Sequence, residues 1–230
     1  MFKVIRLKSV IISILIVVIG IALSIGIVST SHNVVPKTTY TIVIDAGHGG
    51  RDAGCSGSNG SRESDINLNI SRTLKTYLES LGIRVVLTRP DSNGLYDANV
   101  DNYKLSDMQH RIEIIKENNP DMVISIHQNS YSDKTQCGAQ AFYQEGDEKS
   151  HKFADSIQSQ LISQLPNART AANHGDYYLL KESQVSCVIV ECGYLTNPQE
   201  EEMLMTVDYQ NRVAYAIMCG VVKYFDLCEN

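Results

Sequence analysis

Thr41-Ile42-Val43-Ile44-Asp45-Ala46-Gly47-His48-Gly49-Gly50 is the stretch on which the reading of this chain turns. A short β-branched apolar run, closed by glycines and carrying Asp45 near its carboxyl end, has the pattern of a strand buried on both faces of a sheet. Open α/β sheets bind ligands just beyond the carboxyl ends of their strands, so His48 falls where such a sheet builds a site. Two further runs end in the same way. Met122 to His127 puts His127 at a strand end, and Val185 to Val190 puts Glu191 at another. Glu63 stands at the start of a helical pattern between them.

Outward from the first strand, strand-like and helix-like runs alternate, which is the signature of an α/β domain. A Gly-rich loop runs to about Ser61, and Ile66, Ile70, Leu74, Leu78 and Leu81 then recur at helical spacing until Gly82 stops the helix. Ile83 to Thr88 reads as a strand, Pro90 to Tyr103 as a polar lip facing substrate, and Ser106 to Glu117 as a helix. Ala139 to Tyr143 is a strand, Glu148 to Leu165 a helix, Tyr177 to Leu180 a short edge strand, and Val207 to Phe225 a closing helix with Val213, Ile217 and Val221 on one stripe. The expectation is a single α/β domain over residues 41–230, with a mixed, mostly parallel sheet of about six strands flanked by helices.

The first 40 residues are of another kind. Val10 to Val28 contains only aliphatic residues, Gly, Ala and Ser, is long enough to span the hydrocarbon core as a helix, and follows Lys3, Arg6 and Lys8. Residues 1–29 therefore read as a signal anchor or a signal peptide, with the length favouring the anchor, and residues 30–40 as a tether. This places the domain outside the cytoplasm, membrane-anchored, or secreted if the segment is cleaved. The net charge is −6; four cations and no acids precede Thr41, and the remaining 16 basic and 26 acidic residues leave −10. Such an acidic domain excludes nucleic acid as a partner, since that role needs basic patches against phosphate. Six cysteines without a Cys-x-x-Cys pair permit disulfides but define no scaffold.

His48, Glu63 and His127 have the composition of a catalytic zinc site, in which three protein ligands leave a position open for water. Glu191 supplies a carboxylate suited to a general base. Asp45 suits either of two roles, hydrogen-bonding a ligand histidine or capping the Gly-rich loop.

The ordered motifs Ile44 to Gly50, Arg62 to Leu68, Ser125 to Ser130 and Val190 to Asn197 resemble the zinc-dependent N-acetylmuramoyl-L-alanine amidases of the Amidase_3 family. The resemblance runs from about Thr41 to Phe225 and takes in Val85 to Arg89 and Arg111. It implies that His48, Glu63 and His127 bind Zn2+ and that Glu191 is catalytic. It also implies a peptidoglycan glycan strand with its stem peptide as substrate. The short form, one catalytic domain behind a hydrophobic segment, is similar to the CwlD-type amidases of spore formers. Cortex peptidoglycan, muramic-δ-lactam formation, germination and a forespore intermembrane location follow from that likeness.

Two departures stand beside the motifs. Gln128 replaces the family's more usual small residue, and Cys55 lies between the first two ligands, where a thiolate would compete for metal. Arg89 and Arg111 read as structural cations, and Tyr96 and Tyr103 as groove walls or ordinary packing. His32, His110, His151 and His174 fall outside the motifs. Two rival functions remain open from sequence: a cysteine-nucleophile amidohydrolase using Cys192, and a zinc-holding peptidoglycan-binding or scaffold protein inactive without an activating protein partner.

Overall fold

The computed structural model describes residues 40–226 and begins with strand β1 (Thr41–Ala46). The expected anchor, most of the tether and Cys228 lie outside the described residues. After β1 come α1 (Glu63–Ser80), β2 (Arg84–Leu87), α2 (Tyr103–Asn118), β3 (Met122–Asn129), β4 (Gln140–Tyr143) and α3 (Glu148–Gln164). The chain continues with β5 (Asn173–His174), α4 (Tyr178–Glu182), β6 (Cys187–Tyr194), α5 (Pro198–Leu204) and α6 (Val207–Tyr224). The six strands form one sheet in the order β2-β1-β3-β6-β4-β5. β2, β1, β3 and β6 are parallel, β4 is antiparallel to β6, and β5 is parallel to β4. The sheet is mixed and mostly parallel, as its continuous apolar strands imply. Among the described residues no helix is long and apolar enough to cross a membrane.

Strand side chains alternate between the two faces, and that period sorts the core. Ile42 and Ile44 of β1, Ile124 and Ile126 of β3, and Val188 and Val190 of β6 enter the larger core. There they meet Ile70, Leu74 and Leu78 of α1, Phe153 and Ile157 of α3, and Val213 and Ile217 of α6. Val43, Val123, Cys187 and Ile189 face the other way, under Ile112 and Ile115 of α2 and Leu179 and Leu180 of α4. Each fully buried aliphatic side chain contributes roughly 1.5–3 kcal/mol of transfer free energy. α3 and α6 approach so closely that a Cβ on Gly220 would lie 2.6 Å from Ile157 Cα. α1 ends as expected at Gly82, whose φ of 80° allows Gly82 N–H to bond Glu79 O at 3.0 Å and Ile83 N–H to bond Leu78 O at 3.2 Å.

Three expectations are corrected. Tyr177 to Leu180 is not an edge strand; Tyr178–Glu182 is a helical turn, because Leu179 and Leu180 both bury in the same small core, which neighbours on a strand cannot do. The edge is taken by Asn173–His174, which pairs with Phe142 and Tyr143 although neither of its residues is apolar or buried. Helix α5 was not expected. Its signal is present in the sequence: Asn197 accepts from the N–H groups of Gln199 and Glu200, and Pro198 occupies the first turn.

Candidate metal centre

The site is assembled from strand register. His127 of β3 pairs with Glu191 of β6, so the two side chains leave the sheet on the same face, the one covered by α2 and α4. Register shifts between His127 and Asn129, so the regular ladder is interrupted just past the histidine. His48 enters from the loop after β1 with φ 62°. Gly47 before it lets the chain pass the His127 ring, since a Cβ there would lie 2.3 Å from the ring. Glu63 is the first residue of α1 and points between the two histidines.

Glu63 Oε1 lies 2.9 Å from His127 Nδ1 and 3.2 Å from His48 Nε2. The Gln128 amide donates to the same oxygen at 3.1 Å, and the Cys55 amide donates to Oε2 at 2.7 Å. Backbone groups thus aim the carboxylate. Burial opposes its charge, but bonds to His127 and His48 more than offset this and hold the carboxyl well below the usual range. The same pairing acts on His48: burial disfavours its cation, yet Glu63 and Asp52 raise its pKa to about 9. Two imidazole nitrogens converging on one carboxylate oxygen, with the ligand atoms of all three residues within 4.8 Å of one another, form a donor set that fits a metal ion. Cys55 lies outside that set; burial pushes its thiol pKa up, which opposes thiolate ligation.

Glu191 is 6% exposed, and its Oε2 has no hydrogen-bond partner. Burial pushes its pKa to about 7; His127 and His48 pull it down while Glu63 adds to the rise. A buried carboxyl that changes charge near neutrality suits proton transfer in both directions. Its neighbour Cys192 faces the opposite, apolar core, fully buried, with its thiol pKa raised by burial and by the charge of Glu191. This leaves the thiol protonated and away from the cavity. Tyr96, Tyr103, Met108, Tyr177 and Leu179 wall a cavity of about 260 Å³ that reaches His48 and His127.

Beneath the site, Asp45 plays neither expected part. It accepts from Arg111 at 2.6 Å, from Ser125 at 2.6 Å and from Thr88 at 2.8 Å. Burial opposes its charge, but Arg111 and Ser125 keep the carboxyl ionised far below the usual range. Arg111 also donates to Ala46 O and His48 O, and Arg89 donates to Ala46 O, Gly47 O and Ser64 O. The two arginines are structural, as expected: they satisfy the carbonyls that the Gly-rich turn leaves without ladder partners. Gln128 turns from the cavity to bond Asn67 at 3.0 Å, and Asn67 donates to Gly47 O. His110, His151 and His174 lie on α2, α3 and β5, outside the donor set.

Sequence reasoning missed three residues. Asp52 Oδ2 lies 2.8 Å from His48 Nδ1. Glu201 accepts from Ser58, Asn59 and Ser61, tying the Gly-rich loop to α5. Glu200 accepts from the Gly138 and Tyr194 amides. Only Asp52 carried a local signal, four residues after His48 in the motif loop.

The sheet and its converging donors define an α/β domain with a candidate metal centre at the carboxyl ends of parallel strands. The chain belongs to the N-acetylmuramoyl-L-alanine amidase family Amidase_3, which matches residues 42–223. The germination-specific N-acetylmuramoyl-L-alanine amidase of Bacillus subtilis is 32% identical over 195 residues, covering 83% of this chain and 81% of its own length. The uncharacterized protein YqiI of the same organism is 34% identical over 194 residues, covering 83% of this chain and 87% of its own. The CwlD amidase of Clostridioides difficile, solved in complex with the GerS lipoprotein, has a TM-score of 0.78 at 34% identity, covering 81% of this chain and 98% of that one. This family membership makes the chain a peptidoglycan amidase.

Proposed function

We propose that the chain is a zinc-dependent amidase that cleaves the bond between N-acetylmuramic acid and L-alanine, with His48, Glu63 and His127 holding Zn2+ and Glu191 as general base and acid. The observation that carries this is the convergence of both imidazoles on Glu63 while Glu191 stands in register beside His127. Zinc bound there supplies a polarised amide carbonyl and a water of lowered pKa. Glu191, as the carboxylate, takes the proton of the attacking water. It returns that proton to the departing nitrogen, which leaves badly until protonated. The C–N bond breaks, leaving a lactyl carboxylate on the glycan and a free α-amine on the stem peptide. Tyr96, Tyr103 and Tyr177 give the scissile region an apolar wall, and Lys104 sets a cation at its rim.

The setting is the spore cortex, where the cleavage leads to muramic-δ-lactam. This is supported by the germination-specific relative and by the likeness to the CwlD amidase. A protein partner that secures metal or substrate is part of the proposal, because that solved relative is itself in complex with a lipoprotein. Residues 1–29 hold the domain at the outer face of the membrane.

The test uses the full chain in detergent on vegetative and cortex-type peptidoglycan, with and without chelator, and reads the products by mass spectrometry. Stem peptides with free L-alanine amino ends should appear only with zinc and be lost with Glu191→Gln. Release that survives chelation refutes the zinc reading. Zinc binding without release would locate the missing component in a partner.

A further inference from the structure

The two imidazoles that meet at Glu63 are not held alike. His127 turns Nδ1 to the carboxylate, and among the described residues no hydrogen bond engages its Nε2. His48 turns Nε2 to the carboxylate, and its Nδ1 faces the Asp52 carboxylate at 2.8 Å. We propose that Asp52 is the positioning residue of this centre: by accepting the Nδ1 proton of His48, it fixes the ring and presents the Nε2 lone pair to the metal. The proposal rests on the zinc reading above.

The loop is built to hold Asp52 there. Gly49 and Asp52 bond each other through both backbone amides, at 2.8 and 3.1 Å, closing a tight loop directly after His48. His48 itself has φ 62°, which folds the chain back so that a residue four positions on meets its ring. The other carboxylate oxygen, Oδ1, lies 3.3 Å from Lys104 Nζ on α2. One oxygen is therefore braced by a cation at the cavity rim while the other is free for the imidazole. A neutral imidazole carries one N–H, so an acceptor at Nδ1 leaves Nε2 as the donor to metal. Loop bracing is the competing role. The backbone pair already closes the loop, and the side chain's own loop bond, from Gly54 N–H, is long at 3.4 Å.

The experiment is a zinc titration of the metal-stripped full chain in detergent, in competition with a chromophoric chelator. Asp52→Ala should weaken zinc binding about 10- to 100-fold, the usual cost of losing a carboxylate partner behind a ligand histidine. Asp52→Asn, which keeps an acceptor oxygen without the charge, should lose less. Nitrogen-15 spectra of the zinc-loaded protein should show His48 protonated at Nδ1 in the wild type and a mixed or reoriented imidazole in Asp52→Ala. Thermal unfolding of the metal-free variants is read alongside. A lower melting temperature with zinc affinity within roughly twofold of wild type and an unchanged imidazole spectrum would assign Asp52 to loop bracing and overturn the proposal. Wild-type protein that binds no zinc overturns the zinc reading and this inference with it. Wild-type and variant proteins that bind zinc equally overturn the inference alone.

Discussion

Glu191→Gln should make the metal-free protein more stable while abolishing its activity. The carboxyl is 6% exposed and one of its oxygens is unpartnered, so the folded state holds its proton to about pH 7 against an ordinary value of 4.5. Below pH 4.5 the group is protonated in both folded and unfolded chains, and it imposes no penalty. Between 4.5 and 7 the folded state binds more protons than the unfolded one, so stability falls as pH rises. Above 7 the penalty is complete, at about 3 kcal/mol for a shift of this size. A glutamine carries no charge and escapes it, although its buried amide gives some of the gain back by lacking partners. The expected gain at pH 8 is ~2–3 kcal/mol, or ~4–12 °C in melting temperature for a domain of this size. The assay is urea and thermal unfolding of chelator-stripped wild type and variant at pH 5 and pH 8. The two proteins should converge at pH 5. A gap of the same size at both pH values, or no gain at pH 8, would refute the reasoning, since either result means that the carboxyl is not charged at the folded protein's expense.

Arg111→Met should destabilise the fold by about 3–5 kcal/mol, because Asp45 is left as an uncompensated buried charge. Measured by denaturant unfolding, the Asp45→Asn, Arg111→Met double variant should lose less than the sum of the singles; strict additivity would show that the two are not coupled. Gly47→Ala places a methyl 2.3 Å from the His127 ring, so activity should fall on the order of 100-fold while the far-ultraviolet circular dichroism holds. Wild-type turnover in that variant would mean that the ring has a second seat. Glu201→Ala frees Ser58, Asn59 and Ser61 at a cost of about 1–3 kcal/mol, and limited proteolysis should cut the Gly-rich loop sooner than in wild type. The charge of bound Zn2+ favours the Glu191 carboxylate, so kcat/KM should decline only at a pH below 7 as Glu191 gains a proton, and a profile still flat down to pH 4 would remove it as the base.

Much of the sheet is legible because its strands are short apolar runs closed by glycine or polar turns, and the helices because Ile70, Leu74 and Leu78, or Val213, Ile217 and Val221, repeat at helical spacing. The reading fails where burial overrides local pattern. Tyr177 to Leu180 looks like a strand by composition, yet a small core that needs both leucines at once folds it as a turn of helix. Asn173–His174 has no strand signal and is recruited to the edge by pairing with β4. Helix α5 was readable from Asn197 and Pro198, and its Glu200 and Glu201 show their use only once the loops they hold lie against it.

The sequence by itself singled out the candidate site residues: His48, Glu63, His127 and Glu191 stand at strand ends or helix starts, and the motifs around them define the family. It also determined the α/β class, since periodicity in apolar residues is a local property of the chain. Only the tertiary structure decided how those residues are held. Asp45, the carboxylate nearest the motif in the strand, goes to Arg111 and Ser125 in the interior, and Asp52 meets His48 instead. Which acid pairs with which base depends on strand register, on the side of the sheet that α2 covers, and on a backbone turn at His48. These distances are set by packing between elements far apart in the chain, and no run of neighbouring residues records them.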